Sequence, residues 1–342
     1  MDLKELWYSD AYKQLREETE GRLCFICLSG SYGYGTNVEG SDYDIRGVML
    51  PTKEELIGLN HFDQRIDNET DTTIYEFNKF IKLAMANNPN VIELLGCREY
   101  LVFNEVGFML LDAVDKMLSK RCINTFGGYA VAQLRRLENA LSRATPEKRL
   151  EQIKQTMEVA IQKLKDKNEL FEKDNISVDV DDKGLYISLN IEKTPIGTLR
   201  AALNDILTIE SSYDRLNGRN KKKDITHLNK HIMHLIRLYL TCFDILEKQK
   251  MITYREKDRE FLLEVRNGKF IKDGKLTDDF YPYLETLKER MEKDIKETKL
   301  QDKPDMRYIS SLVMDVNTKV IKDEVETYDE PQKVRFVYNE EK

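Results

Sequence analysis

The feature that most constrains this chain is the order of elements in residues 28–50, LSGSYGYGTNVEGSDYDIRGVML. The segment overlaps the apolar run LCFICL, which is typical of a buried strand. A Gly-Ser pair at Gly30 and Ser31 then opens a glycine-rich turn, and a second strand is predicted over residues 42–50. Strand, Gly-Ser, loop and an Asp-x-Asp strand occur together far more rarely than any one of them alone. This segment is therefore the leading candidate for a functional site.

The two carboxylates of this segment predict a site for divalent cations. Asp42 and Asp44 are two positions apart, and residues i and i+2 of a strand point to the same face. Two like charges this close are costly unless a cation lies between them. Hard divalent ions take oxygen ligands and bridge to phosphate oxygens. A solvated Gly-Ser-Asp turn is the alternative interpretation, and it stays open for the Asp-x-Asp pair taken alone.

The glycine turn itself favours a phosphate site. A glycine directly after a buried strand lets the backbone turn tightly and present its N–H groups, and the Ser31 hydroxyl adds a donor. The spacing of Gly30, Gly33 and Gly35 is not the dinucleotide-binding fingerprint, and no Gly-Lys-Ser/Thr follows to make a P-loop.

The rest of the chain predicts an α+β fold. Residues 2–20 have the spacing of an amphipathic helix, residues 71–75 of a strand, and residues 78–87 and 90–95 of helices that Asn88-Pro89 separates as a cap. Helical periodicity dominates residues 112–298 apart from a predicted β-hairpin over residues 176–191. We therefore predict three parts: a small mixed-sheet domain with flanking helices (1–111), a larger helical domain with the hairpin inserted (112–300), and a polar C-terminal tail (301–342).

The segment GSYGYGTNVEGSDYDIRG resembles the active-site signature of the DNA polymerase beta-type nucleotidyltransferase superfamily. By that resemblance Gly30 and Ser31 match its Gly-Ser element, and Asp42 and Asp44 its metal-binding pair. The stretches DTTIY, NPNVIELLG, RNKKKD, LNKHIMHLIRLYL, TYREKD, EVRNGKF and KPDM extend the likeness to a bacterial and phage family of nucleotidyltransferases, over residues 25–317. Some branches of that family are associated with RNA repair beside RNA ligases.

The superfamily has a third carboxylate on a neighbouring strand, and the resemblance leaves two candidates for it. Asp71 opens the strand-like run DTTIYEF and is the better one, and Glu76 is the second. Either can also be a surface charge or a helix cap.

The resemblance implies a function as well as a fold. It implies transfer of a nucleoside monophosphate from an NTP, ATP among them, to an acceptor hydroxyl on an RNA end, a protein or a small molecule. Two Mg²⁺ or Mn²⁺ ions held by Asp42, Asp44 and Asp71 would assist the release of pyrophosphate. The alternative is a non-catalytic NTP-binding regulator or antitoxin-like module on the same scaffold. Nucleic-acid binding without chemistry would predict a more basic chain.

A cationic line on one predicted helix is a candidate for contact with the triphosphate. Lys230, His234 and Arg237 follow each other at i, i+4 and i+7, after a basic loop at residues 219–223. A solvated basic face is the alternative. The histidine run at 227, 231 and 234 lacks the further ligand that zinc needs. Arg266 is either a phosphate contact or part of a structural ion pair.

Bulk properties exclude several classes of protein. The 342 residues carry a net charge of -7, which argues against indiscriminate binding of nucleic acid over the whole surface. No apolar run reaches the roughly 20 residues that a membrane-spanning helix needs. Five scattered cysteines, with Cys24 and Cys27 inside the predicted buried strand, are usual for a reduced intracellular protein. We therefore expect a cytoplasmic protein with no membrane partner.

Overall fold

The structure is a computed structural model. It describes residues 2–142, 146–165, 169–172, 175–180, 184–190, 192–218 and 225–336. The chain divides into two compact units that are not contiguous in sequence. Unit 1 comprises Met1–Gln133, Ile232–Phe270 and Asp278–Lys342, and unit 2 comprises Leu134–His231 and Ile271–Thr277. The predicted division at residues 111 and 300 is contiguous and stays a prediction.

The described residues form both helices and strands. The strands are β1 (Leu23–Leu28), β2 (Ile45–Met49), β3 (Gln64–Asp67), β4 (Thr72–Glu76), β5 (Glu99–Asn104), β6 (Ile176–Val180), β7 (Leu185–Leu189), β8 (Ile271–Lys272), β9 (Lys275–Leu276) and β10 (Thr327–Arg335). The helices are α1 (Leu3–Trp7), α2 (Lys13–Thr19), α3 (Gly30–Tyr34), α4 (Lys53–Ile57), α5 (Phe77–Met85), α6 (Pro89–Ile92), α7 (Glu105–Asp112), α8 (Val114–Met117), α9 (Arg121–Ser142), α10 (Pro146–Lys165), α11 (Glu169–Glu172), α12 (Ile196–Gly218), α13 (Ile225–Lys248), α14 (Arg259–Arg266), α15 (Phe280–Glu297) and α16 (Met306–Lys322). The predicted α+β class is confirmed.

Unit 1 is built on one mixed sheet of six described strands in the order β10-β5-β1-β2-β4-β3. β2 and β4 run parallel, and the other neighbours pair antiparallel. The central strand β1 is apolar along its whole length, and Cys24 and Cys27 are fully buried in it as free thiols. A strand covered on both faces needs this continuous apolar run, which explains why LCFICL does not alternate.

The N-terminal segment packs on this sheet, but it is not the single helix predicted for residues 2–20. α1 and α2 are separated by a 3-10 turn at Asp10–Tyr12. The Ser9 hydroxyl donates to the Leu6 carbonyl at 2.7 Å, and a side chain that bonds the local backbone in this way competes with helix continuation. Leu3 and Trp7 are buried in the core against the sheet.

The predicted cap between the two helices after β4 is confirmed. The Asn88 side chain accepts from the Asn90 amide, and Pro89 occupies the first turn of α6. A 3-10 turn at Glu93–Gly96 then leads into β5.

The C-terminal residues differ from the polar tail predicted for residues 301–342. α16 is part of unit 1 and packs against α4 and α8, and β10 pairs with β5 as an edge strand of the sheet. Polar residues are compatible with this strand because an edge strand needs little apolar surface. Lys333 of β10 pairs with Asp2 at 2.7 Å, which ties the two ends of the chain together.

Unit 2 is mainly helical and has its own small core. Residues shared by α10, α11, α12 and β6 form that core: Met157, Leu170, Phe171, Ile176, Ala202 and Ile209. The strands of the predicted hairpin are present as β6 and β7, paired antiparallel. Its turn at residues 181–183 and residue 191 lie outside the described residues, as does the basic loop at residues 219–223.

No helix in the described ranges is long and apolar enough to cross a bilayer. The expected cytoplasmic location stays a prediction.

Candidate active site

The Asp-x-Asp pair lies just before β2, not within a strand over residues 42–50 as predicted. The pairing of β1 with β2 ends at Leu28 and Ile45, because beyond Leu28 the chain turns into α3 and offers no further strand. One bond continues past that point, in which the Ser29 amide donates to the Asp44 carbonyl at 2.8 Å. Asp42 is exposed and Asp44 is half-buried. Because Asp42 and Asp44 are not in a strand, the rule that residues i and i+2 point to the same face does not fix the directions of their side chains.

Gly30 is the residue that makes room for Asp44. Gly30 opens α3 with a φ of 55°, in the left-handed region. A Cβ on Gly30 would overlap the Asp44 Oδ2 atom and lie 2.9 Å from its Cγ atom. A side chain at this position would be both strained and sterically excluded. The glycine of the signature therefore allows the carboxylate to lie against the first turn of α3.

Asp71 lies near Asp44, just before the start of the neighbouring strand β4. It directly precedes β4, which runs parallel to β2 with Arg46 opposite Thr73, so the two aspartates lie at one end of adjacent strands. The Asp71 side chain lies near enough to Asp44 to influence the ionisation of its carboxyl group. Burial is the largest cause that raises the pKa of Asp44 to about 6, and interaction with Asp71 and the charge of Asp42 add to it, against the opposing charge of Arg46.

Glu76, the second candidate for a third carboxylate, lies at the opposite end of β4. It is five residues beyond Asp71, roughly 16 Å along the strand at the usual rise. Its two carboxylate oxygens accept from the Asn78 amide at 2.9 Å and the Lys79 amide at 2.7 Å, which caps α5. Glu76 also lines a cavity of about 290 Å³ at that end of the sheet, and the three aspartates are not among the lining residues. This geometry favours Asp71 over Glu76.

The three aspartates suit a divalent cation by the chemistry of their donors. Carboxylate oxygens are the ligands that Mg²⁺ and Mn²⁺ prefer, and the charges of Asp71 and Asp42 add to the rise that burial causes in the pKa of Asp44. Across the part of the chain that the structure describes, no three His, Cys, Asp or Glu side chains are already arranged to hold a metal ion. The site therefore brings together the donor atoms but not a finished coordination geometry.

Two arginines of α14 bond to the C-terminal end of the glycine segment, which we define as residues 30–36. Arg259 Nε donates to the Gly35 carbonyl at 2.7 Å, and Arg266 Nη1 donates to the Thr36 carbonyl at 2.6 Å. The Arg255 amide donates to the Tyr34 carbonyl at 3.1 Å. Arg266 therefore bonds to the protein backbone in this structure, which agrees with a structural role more than with a phosphate contact. The sequence analysis did not identify Arg259. Charge-assisted bonds to carbonyls at a helix end are strong.

Arg237 is buried beneath α3, which differs from the predicted contact with a triphosphate. It is 5% exposed and lies 3.4 Å from the Glu93 carboxylate. Its guanidinium stacks over the Tyr34 ring and donates to His234 Nδ1 at 2.6 Å. The Tyr34 hydroxyl also bonds Glu93, whose pKa burial raises to about 8.

Arg237 thus contacts Tyr34, the last residue of α3, and supports the glycine segment from its buried side. Glu93 and Tyr34 were not singled out from the sequence, because no local pattern marks a buried ion pair whose members are far apart in the chain. Lys230 is exposed and belongs to unit 2, and its predicted contact with NTP stays a prediction.

Comparisons with known proteins identify the family of the chain. The family model described as the RNA repair pathway DNA polymerase beta family (RlaP) matches residues 8–315. The chain is also similar to the uncharacterized protein YcgL of Bacillus subtilis (strain 168), with 25% identity over 91 residues that cover 25% of this chain and 35% of that protein. The chain thus spans about a third of the length of this curated relative. No solved structure matches.

Proposed function

The chain belongs to the RNA repair pathway DNA polymerase beta family, a group of polymerase beta-like nucleotidyltransferases, and we propose that it transfers a nucleoside monophosphate from an NTP to an RNA terminus. The observation that carries this proposal is the meeting of Asp44 and Asp71 beside Gly30. Those three residues bring a carboxylate pair and a glycine turn to one end of two parallel strands.

The aspartates have one role in this proposal. Asp42, Asp44 and Asp71 would hold Mg²⁺ or Mn²⁺, which neutralises charge on the triphosphate and lowers the pKa of the attacking hydroxyl. The carboxylates also exclude other anions from this end of the sheet, so that the triphosphate binds here only together with cations.

The glycine segment has a second role. The Ser31 hydroxyl and the backbone amides around Gly30 would hold the β- and γ-phosphates, as the family signature implies. The α14 arginines and the Tyr34–Glu93–Arg237 network hold the end of this segment by the bonds described above, so its backbone is positioned before the NTP arrives.

The reaction follows from these roles. The oxygen of the acceptor hydroxyl attacks the α-phosphorus in line, the bond from that phosphorus to the bridging oxygen of the β-phosphate breaks, and pyrophosphate leaves. The hydroxyl proton passes to solvent. Positioning and charge neutralisation supply most of the rate, since the protein forms no covalent bond to the substrate.

The acceptor is proposed to be RNA because the family description names an RNA repair pathway. The test is to incubate the protein with Mg²⁺ or Mn²⁺ and each α-labelled NTP in turn. The acceptors are RNA with a free 3′-hydroxyl, the same RNA with a blocked 3′ end, the protein alone, and a cell extract. Label on the unblocked RNA alone supports the proposal.

Other outcomes have defined meanings. Label on blocked RNA, on a protein or on a small molecule would mean that the proposed acceptor is wrong but that the proposed transferase activity is right. NTP binding without transfer to any acceptor favours the non-catalytic alternative and contradicts the proposal.

A further inference from the structure

We infer that Arg46 is a positioning residue that holds Asp71 in place as the third carboxylate of the site. This inference rests on the proposed function, because it assigns Asp71 a task in that site. Arg46 lies two residues beyond Asp44, on β2, and the sequence analysis gave it no role.

The guanidinium of Arg46 contacts Asp71 at two points. Its Nη1 atom donates to the main-chain carbonyl of Asp71 and, at 3.2 Å, to the carbonyl of Ile45. Its Nη2 atom lies 3.3 Å from the Asp71 Oδ1 atom. A planar fork of donors spans a carbonyl and a carboxylate of one residue in this way, and the single ammonium of a lysine does not.

Asp71 is a residue that needs such support. Its side chain is 72% exposed, whereas that of Arg46 is 21% exposed, so the arginine is the better-anchored partner. Asp71 also has a φ of 48°, an uncommon conformation for a residue other than glycine. Backbone in sparsely populated conformations persists where the surroundings hold it and is concentrated at functional sites. The bond from Arg46 to the Asp71 carbonyl supplies that restraint.

The positive charge of Arg46 and its contact with Asp71 have opposite expected effects on the affinity of the site for a metal ion, which makes the inference testable. A cation beside the carboxylates repels a metal ion, so removal of a charge alone would tighten binding. Removal of a positioning contact instead loosens Asp71 and weakens binding. Residues that orient metal ligands commonly contribute roughly 10- to 100-fold in affinity.

The experiment measures Mn²⁺ affinity by the electron paramagnetic resonance signal of free Mn²⁺, without NTP or acceptor. The variants are Arg46→Gln, Asp71→Asn, their double variant, Asp42→Asn and Asp44→Asn, each checked for folding by circular dichroism. Arg65→Gln, on the edge strand β3 with its guanidinium over the Phe62 ring, is the matched control. Arg46→Lys keeps the charge and loses the fork, and it takes the place of Arg46→Gln if that variant does not fold.

We expect Arg46→Gln and Asp71→Asn each to weaken Mn²⁺ binding about tenfold or more, and the double variant to bind no more weakly than Asp71→Asn. Arg46→Lys, which keeps the charge but loses the fork, should also bind Mn²⁺ more weakly than wild type, and Arg65→Gln should bind like wild type. Unchanged or tighter binding by Arg46→Gln overturns the inference, and so do losses that add in the double variant.

The same measurements separate this inference from the proposed function. If Asp42→Asn and Asp44→Asn lose Mn²⁺ but Asp71→Asn does not, the role of Arg46 is wrong and the proposed metal site stands without Asp71. If none of the three asparagine variants loses affinity, the proposed metal site itself is wrong.

Discussion

At the scale of single residues, Asp44 shows that the candidate site is not arranged for stability. Its carboxylate is half-buried beside Asp71 and Asp42, where its ionised form is disfavoured in the absence of a cation. A fold selected for stability alone would place a neutral side chain here. Local conflicts of this kind are expected at functional sites.

The first prediction is that Asp44→Asn stabilises the metal-free protein. The folded-state pKa of about 6 lies above the ordinary value of 3.8, so ionised Asp44 destabilises the fold at neutral pH. Solvent screens a half-buried group, so we expect a gain on the order of 1–2 kcal/mol in the free energy of unfolding at pH 7.5.

The pH dependence follows from the same shift. Stability of the wild type falls as pH rises from about 4 to about 6, because the folded state binds the proton more tightly than the unfolded state. The advantage of Asp44→Asn should therefore disappear near pH 4. Thermal melts in EDTA across this range check it, and a variant less stable than wild type at pH 7.5 would contradict the placement of Asp44.

The second prediction concerns Gly30. Gly30→Ala should abolish transfer and destabilise the fold by about 1–3 kcal/mol, because its Cβ would push the Asp44 carboxylate aside and the backbone conformation disfavours any side chain. Gly21→Ala is the matched control, since Gly21 also has a positive φ, 70°, but open space around it. Equal losses of activity in the two variants would mean that the crowding against Asp44 is irrelevant.

The residues found from the sequence and those missed differ in one physical respect. Gly30, Asp42 and Asp44 are close in the chain, so local spacing marks them. Glu93, Arg237 and Arg259 reach the site only through contacts between distant segments, and isolated charged residues carry no local mark of burial. Arg46 could have been identified from the sequence, because it continues the spacing of two residues that separates Asp42 from Asp44.

At the scale of elements, the short helix α3 is held at both ends. Its start is bonded to Asp44 through Ser29, and its end and the following residues accept from Arg255, Arg259 and Arg266. A helix of five residues has little stability of its own, so these tertiary contacts determine its position. Sequence periodicity could not reveal a helix that short.

The third prediction tests this restraint. Arg266→Met should lower the free energy of unfolding by about 1–2 kcal/mol and reduce the transfer rate, because the Thr36 carbonyl loses a charged donor. Arg307→Met, at an exposed position on α16, is the control and should change neither quantity. Chemical denaturation and transfer assays on both variants provide the measurement. A stable but inactive Arg266→Met would instead indicate direct contact with substrate.

At the scale of the whole chain, the C-terminal segment belongs to the sheet of unit 1. β10 pairs with β5, and Arg335 and Glu99 add an ion pair at 3.4 Å. The polar composition of this segment predicts a tail, because strand pairing between residues more than 200 positions apart leaves no periodic signal in an edge strand. The α+β class and the helical character of residues 112–298 could be predicted, since periodicity is a local property.

The fourth prediction is that a chain ending at residue 324 is much less stable than the full chain. The truncation removes β10 and leaves buried residues of β5, such as Leu101 and Val102, without their strand partner. We expect the Tm to fall by at least ~5 °C, since several backbone bonds and ion pairs are lost together. A chain ending at residue 336 keeps every described pair and is the control. Equal Tm values for the two truncated chains would contradict the pairing of β10 with β5.

The most direct test of the central claim compares pyrophosphate release and label transfer by wild-type protein, Asp42→Asn and Asp44→Asn, with Mg²⁺ and α-labelled NTP. The account predicts that wild type releases one pyrophosphate for each nucleotide transferred, and that both folded variants lose at least ~100-fold in rate. Transfer at the wild-type rate by either folded variant would contradict it.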